Sequence, residues 1–574
     1  MNKKVLIILG LILFTAAILR LWDFGKVPIS PDWDEVALGY NAYSLLHTGR
    51  DEYGKFLPIV LRSFDDYKPA LYAYFSIPAV ALFGLNTFAV RLPSAVFGVL
   101  AVIATYFLVK ELFKTNPKSE ILNPKQIQNT KYKILNTEMI ALLSAFLLAI
   151  SPWHIQFSRV AFEANVGVAL NVFGILFFLK AFKKPWFLLL SALMLGLSLH
   201  VYQSEKVFVP LLIAILVSSF RKEFFSIRKK YIYISLIIFT IICLPLILFT
   251  LTNKDALSRA KGVSIFSNAS IIEANTEKIA RDKANNDILG LVLDNRRIEF
   301  AKYVAGGYLS HLDLNWLFIT GDISRHHAPN MGLLYLFEFP FFFIGIYGLI
   351  FGKFDKKTKL FIFSWFLIAP IPASITSGVP HAVRTLNFLP TFQVFTAIGI
   401  IQILYSVRAS YLRLKIYDLR KYLLILGLTS YVLFTVVNFV YYLNQYFVQQ
   451  NYFHAKYWQY GYKEIVDFIA PIHKNYNKII VSNVGIMDQS YMFFLFYSKY
   501  DPYKYLSQGG TRSGGFKEGG NKFDIFEFRS FNYYTEKENN ILLVGGQDDF
   551  AEEFHTITRI DYPDKSSAIR VVDK

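Results

Sequence analysis

Residues 5–35, VLIILGLILFTAAILRLWDFGKVPISPDWDE, pass from hydrocarbon-like to acidic within a few positions. The stretch from Met1 to Trp22 is long and apolar enough to cross a bilayer as one helix. Lys3 and Lys4 precede it, and Arg20-Leu21-Trp22 stands where a small-x-small cleavage site would be needed. It therefore reads as an uncleaved signal anchor with a cytoplasmic N-terminus. Asp32, Asp34 and Glu35 follow at the point where the chain leaves the membrane. A spanning helix needs no acidic cluster at its outer end, and charge beside hydrocarbon is costly unless it is solvated, paired or used.

The same alternation continues downstream. Leu142 to Ile150, Ile234 to Leu251 and Leu333 to Ile350 are further apolar runs, and 54% of the 574 residues are hydrophobic. The chain is a polytopic membrane protein. Its formal net charge of +18 would suggest nucleic acid in a soluble protein. Here Lys and Arg fall in short loops at 114–133, 183–184, 221–230, 353–359 and 408–421, the pattern of cytoplasmic loops. No nucleic-acid partner is implied. The single cysteine, Cys243, excludes a disulfide within the chain and a cysteine metal cluster.

Placing those basic loops inside puts five loops and the C-terminal tail outside. It requires about eleven spans if Ala70 to Phe83 lies along the outer surface. The expected fold class is an all-α polytopic membrane protein of 11–13 transmembrane helices with a small extracytoplasmic α/β domain. Residues 1–445 form the transmembrane domain, with a first outer loop at 23–90 and a large one at 253–330. Residues 446–574 form the outer domain. In it, Tyr460 to Ile469 reads as a helix, Lys478 to Val481 and Ile541 to Val544 as strands, and Gly509 to Gly520 as a glycine-rich loop.

The outer loops collect acids, bases and cations. The first carries Asp34, Glu35, Asp65, Asp66, Lys68 and Arg91. The others carry His154, Arg159 and Glu163, then His200, Tyr202 and Glu205, then Asp322, His326 and His327, then His381 and Arg384. Singly, each has a plain reading. Arg91 and Arg384 could be interfacial anchors. Glu163 could pair with Arg159 one helical turn away. Asp65-Asp66 could be a solvated turn, and Asp32 a solvated neighbour of the acidic pair. His326-His327 could hold a metal, although no third ligand at helical spacing is evident. Together they suit a carboxylate base acting beside cations that hold a phosphate. A sugar carried on a polyprenyl phosphate is the donor that would be available outside the cell.

The segments Pro31-Asp32-Trp33-Asp34-Glu35, Asn41-Ala42-Tyr43-Ser44, Tyr67-Lys68-Pro69, Arg91-Leu92-Pro93-Ser94 and Ser151 to Arg159 resemble, in order and spacing, family 39 of the GT-C glycosyltransferases. That family includes protein O-mannosyltransferases and the lipid A aminoarabinose transferase. Gly321 to His327 and Pro380 to Arg384 resemble later landmarks. The resemblance covers roughly the first 400 residues. It implies juxtamembrane helices in the first outer loop. It also implies inverting transfer of a mannose-like hexose or aminosugar from a polyprenyl-phosphate donor, at the extracytoplasmic face of the cell membrane. Asp34 and Glu35 match the family's acidic pair, and which of them takes the proton stays open. Lys68, Arg91 and Glu163 match its donor-site positions, with Arg159, His200, Tyr202, His381 and Arg384 as further donor or substrate contacts. The resemblance leaves metal use open: some members of the wider superfamily need a divalent cation, and Asp34, Glu35 and Glu163 could hold one. The acceptor is a glycan, lipid or protein. The β-trefoil domain and the His-Pro-Pro-type segment of the eukaryotic protein mannosyltransferases are missing from the sequence. A lipid or glycan transporter is the alternative class. It would place its charges near the bilayer midplane with inverted repeats, and neither pattern is visible.

Overall fold

The computed structural model describes residues 2–64, 66–114, 124–253, 262–413, 419–513 and 520–574. Asp65, residues 115–123 of the 114–133 loop, and parts of the 253–330, 408–421 and 509–520 loops lie outside the described residues. Two compact units are distinguished. One comprises Met1–Arg20, Phe97–Phe157 and Ala164–Leu443; the other comprises Leu21–Val96, Ser158–Glu163 and Asn444–Lys574.

The first unit is helical. Among the described residues, six helices are long and apolar enough to cross a membrane: Lys3–Leu21, Thr87–Leu112, Glu163–Ala181, Lys229–Thr252, Leu386–Arg408 and Leu419–Phe453. Some of these continue into the second unit. A seventh is counted if Thr137–Ile150 and Pro152–Arg159, bent by 55° at Ser151, form one span. The bend falls where Pro152 has no N–H to continue the ladder. Three shorter apolar helices, Leu71–Phe83, Phe187–Ser198 and Glu338–Phe351, complete the set. Against the sequence-based expectation of about eleven spans, the described residues hold six or seven helices of that length and several shorter apolar ones. Leu71–Phe83 has only 13 residues, too few to cross about 30 Å of hydrocarbon.

Two helices of this unit, Glu338–Phe351 and Thr391–Arg413, touch backbone to backbone. A Cβ added at Gly345 would overlap the carbonyl of Phe395, and one at Gly399 the carbonyl of Phe341. Small residues allow such approach in lipid, where dispersion rather than hydrophobic transfer holds helices together.

The second unit joins the first loop to the C-terminal segment. Helix Trp33–Thr48 starts with a capping box: Glu35 N–H donates to Asp32 Oδ1 at 3.0 Å, and Asp32 N–H donates to Glu35 Oε2 at 3.3 Å. Asp34 and Glu35 in the first turn also complement the helix dipole. Gly49 ends the helix in the left-handed region (φ 67°), with its N–H on the carbonyl of Leu45. Strands Val60–Ser63 and Asp66–Pro69 then form a hairpin that sets Lys68 opposite Leu61.

The C-terminal segment carries the expected mixed α/β fold. Its six-stranded sheet runs in the order Asn521–Phe523, Phe526–Phe528, Lys478–Val481, Ile541–Gly545, Ser567–Asp573, Thr556–Asp561. Lys478–Val481 is parallel to both of its neighbours, and the other pairs are antiparallel. The two central strands read Lys-Ile-Ile-Val and Ile-Leu-Leu-Val-Gly, continuous apolar runs typical of strands covered on both faces. Helix Tyr462–Ile469 lies where the sequence placed it.

Glu52 fastens the loop to this segment inside the unit. Its carboxylate accepts from Asn41 Nδ2 (3.1 Å), Tyr491 Oη (3.2 Å) and Thr511 Oγ1 (2.6 Å), while Thr511 N–H donates to its carbonyl (3.0 Å). Burial pushes the carboxyl up to about 7, and the hydrogen bonds from Thr511 and Asn41 only partly oppose this.

Two outcomes are expected. Gly399→Val should overpack the helix contact and lower stability by about 1–3 kcal/mol, read from melting in detergent. Glu52 is neutral in the fold up to about pH 7 but would ionise near 4.5 when unfolded. Its contribution is therefore complete at acid pH and is lost as pH rises between those values. Glu52→Gln should remove a fall in stability on the order of 3 kcal/mol between pH 5 and pH 8. A wild-type pH profile that Glu52→Gln leaves unchanged would refute this.

Candidate active site

The strongest polar assembly of the second unit is the pair of Glu35 and Arg91. Arg91 Nε donates to Glu35 Oε1 at 2.8 Å and Nη2 donates to Oε2 at 2.9 Å, a two-point fork with both side chains at or below 2% exposure. The remaining guanidinium hydrogens reach the carbonyls of Pro28 (2.9 Å) and Ser30 (2.8 Å). Glu35 Oε1 also accepts from Ala161 N–H at 2.9 Å. The carboxylate of Glu35 is thus surrounded by four donors: two from Arg91, and the backbone N–H groups of Asp32 and Ala161. Desolvating both charges is repaid only by such complete satisfaction.

Asp32 is buried as the helix cap, not solvated as the sequence suggested. Its oxygen is needed by the N–H of Glu35, a local demand invisible until the helix start is known.

Asp34 differs from both neighbours. One residue before Glu35 on the helix, it points elsewhere, and its side chain is 32% exposed. Its carboxylate pairs with the Lys68 ammonium, which is 15% exposed and sits over the Phe64 ring at 5.6 Å. Glu163, the first residue of its helix, is buried within electrostatic reach of Lys68, Asp34 and Asp32. Asp34, Lys68 and Glu163 therefore form one acid–cation–acid group whose exposed member is Asp34, next to the buried Glu35 and Arg91 pair.

Arg159 is fully buried and is directed to the carbonyl of Val27 at 3.0 Å, with the rings of Phe447, Tyr446 and Phe24 within 6.0 Å. It braces the start of the first loop.

His200, Tyr202, His381 and Arg384 belong to the other unit. His200 Nε2 is bonded to the Ile242 carbonyl at 2.7 Å, and Tyr202 is half-buried. Arg384 donates to Thr376 Oγ1 (2.6 Å) and the Ser377 carbonyl (2.8 Å). His381 stands beside Asp322 and His326. Burial would raise the Asp322 carboxyl, but the hydrogen bonds from His326 and from the Ala382 N–H hold it down at about 2. Burial pushes His381 down to about 2, reinforced by His326 and Arg384.

Among the described residues, Asp322, His326 and His381 are also the only three or more metal-ligating side chains whose donor atoms gather closely enough for an ion. Asp34, Glu35 and Glu163 do not gather in that way, because Lys68 and Arg91 take up their acidic pair. Sequence reading missed Asp322 as the partner of the two histidines. The spacing of Asp322 and His326, four residues apart, was the available signal. Glu52 was missed as well, because nothing in the sequence around it marks a buried carboxyl.

The fold is that of the GT-C glycosyltransferases. Residues 131–249 match the family model described as dolichyl-phosphate-mannose-protein mannosyltransferase. The structure resembles ArnT from Cupriavidus metallidurans bound to undecaprenyl phosphate, with a TM-score of 0.52, 10% identity, and coverage of 100% of this chain and 98% of that one. It also resembles the archaeal oligosaccharyltransferase AglB from Archaeoglobus fulgidus in complex with an inhibitory peptide and a dolichol-phosphate. There the TM-score is 0.51 and identity 13%, over 95% of this chain and 69% of that one. A sequence search of curated proteins found no significant match.

The buried fork gives a clear expectation. Glu35→Ala or Arg91→Met alone leaves one buried charge uncompensated and should cost about 3–5 kcal/mol. Arg91→Lys, which cannot bridge both oxygens, should recover only part of this. Thermal unfolding of the detergent-solubilised proteins would measure the order wild type, Lys, Met.

Proposed function

We propose that the protein is an integral-membrane glycosyltransferase that moves a mannose-like hexose or an aminosugar from a polyprenyl phosphate to an acceptor hydroxyl outside the cytoplasm. The observation that carries this reading is the Asp34–Lys68 pair: one partly exposed carboxylate beside one cation, on a helix start locked by Glu35 and Arg91. The GT-C fold and the mannosyltransferase family match support the same class.

In the proposed reaction, Asp34 accepts the proton of the acceptor hydroxyl as its oxygen attacks the anomeric carbon. The bond from that carbon to the phosphate oxygen breaks, and polyprenyl phosphate leaves with the electron pair. Attack from the face opposite the leaving group inverts the configuration. Lys68 is placed to turn from Asp34 toward the phosphate once the donor enters. That movement would free the base and neutralise the leaving group in one step. Between the two acids, the geometry favours Asp34, since the oxygens of Glu35 are already occupied by Arg91, Ala161 and Asp32. Glu163 would bind the donor or acceptor sugar beside them.

Purified protein assayed with a panel of polyprenyl-phosphate sugars should release polyprenyl phosphate and a glycosylated product, identified by mass spectrometry. Asp34→Asn should lower kcat at least about 100-fold with little change in melting temperature. Lys68→Met should lower kcat/KM and weaken donor binding. Equal turnover by wild type and Asp34→Asn would remove Asp34 as the base.

A further inference from the structure

We propose that Asp322, His326 and His381 bind one divalent transition-metal ion of the zinc class. The three donor atoms lie within 4.8 Å of one another. His326 Nδ1 is 2.8 Å from Asp322 Oδ2, and the His326 and His381 rings stand 5.0 Å apart at 43°. Two imidazoles and one carboxylate are the mixed nitrogen and oxygen set that zinc and its neighbours prefer. With metal–ligand bonds of about 2.0–2.2 Å, tetrahedral donors stand roughly 3.3 Å apart, so small side-chain rotations suffice to enclose an ion.

The surroundings are those of a built site. The Asp322 and His326 side chains are 6% and 5% exposed. Nδ1 of His381 is buried with no hydrogen-bond partner among the described residues. A buried, unpartnered imidazole nitrogen is costly unless something binds it. The second ring of contacts is in place as well. Ala382 N–H donates to Asp322 Oδ2 at 2.6 Å and orients the carboxylate. His381 N–H donates to His311 Nε2 at 3.1 Å, so the Nδ1 of His311 carries the proton it gives to the Gly307 carbonyl at 2.6 Å. His311 is thereby a positioning residue and not a ligand.

The ion would tie the segment 321–327 to the segment 380–384, reinforcing the hydrogen bond from the Ala382 N–H to Asp322. With three protein ligands, a fourth position stays open to water or to an oxygen of an anionic ligand.

The test uses the full-length protein in detergent, stripped with chelator, freed of any polyhistidine tag, loaded with zinc ion and desalted. Elemental analysis should find about one zinc per chain. Asp322→Asn and His381→Ala should fall to background, and His47→Ala should keep its zinc. His381→Cys, which supplies a thiolate, should retain it where His381→Ala does not. Cobalt(II) in place of zinc should give the intense visible absorption of a four-coordinate ion, and this needs no variant to fold. Wild type without retained zinc or cobalt spectrum, or Asp322→Asn and His381→Ala that hold as much zinc as wild type, would overturn the site. Neither readout depends on sugar transfer.

Discussion

The buried fork of Arg91 and Glu35 is the constraint on which the candidate active site rests. Arg91 spends four hydrogen bonds, two on the carboxylate and two on the carbonyls of Pro28 and Ser30. It therefore fixes the path of the chain just before the helix that carries Asp34. Glu35 completes the capping box of the same helix and takes the N–H of Ala161. Helix start, incoming loop and the turn at 158–163 are thus held through a single carboxylate. Asp34, one residue away on the helix, inherits that rigidity without joining the network. A base placed in this way needs little reorganisation when a proton arrives.

The division of labour between adjacent acids has a simple geometric origin. Successive residues on a helix point about 100° apart, so Asp34 and Glu35 cannot share an environment. One faces into the unit and is satisfied by a guanidinium. The other faces a lysine and remains partly in solvent. Side chains two residues apart in chemistry but one apart in sequence can in this way be a support and a reactant.

Much of the architecture was legible beforehand. The alternation of apolar runs and basic loops gives a helical membrane protein, and the continuous Ile, Leu and Val runs at 478–481 and 541–544 give the central strands. Asp32 and Glu35, three residues apart, have the spacing of a capping box, but Asp32 reads as a solvated neighbour until the helix start is known. The grouping of Asp34, Lys68 and Glu163 followed from a resemblance and from loop order, and their proximity emerged only in three dimensions. The number of full-length spans was not legible, because hydropathy does not distinguish a 13-residue surface or half-span helix from a crossing one. Asp322 and His381 are 59 residues apart, and no local periodicity relates them. Their meeting depends on how two loops fold back within the helical unit.

The glycine contact between Glu338–Phe351 and Thr391–Arg413 bears on how the protein is made. Neither helix gains by leaving lipid for its partner unless the two backbones meet closely. The backbone contact itself can therefore close only once Gly399 has entered the membrane beside Gly345. Gln402 against Gly348 and the Glu338–Thr396 hydrogen bond add polar groups to the same pair of helices, so shape and polarity together select the partner helix, and a bulky residue at either glycine would weaken that selection.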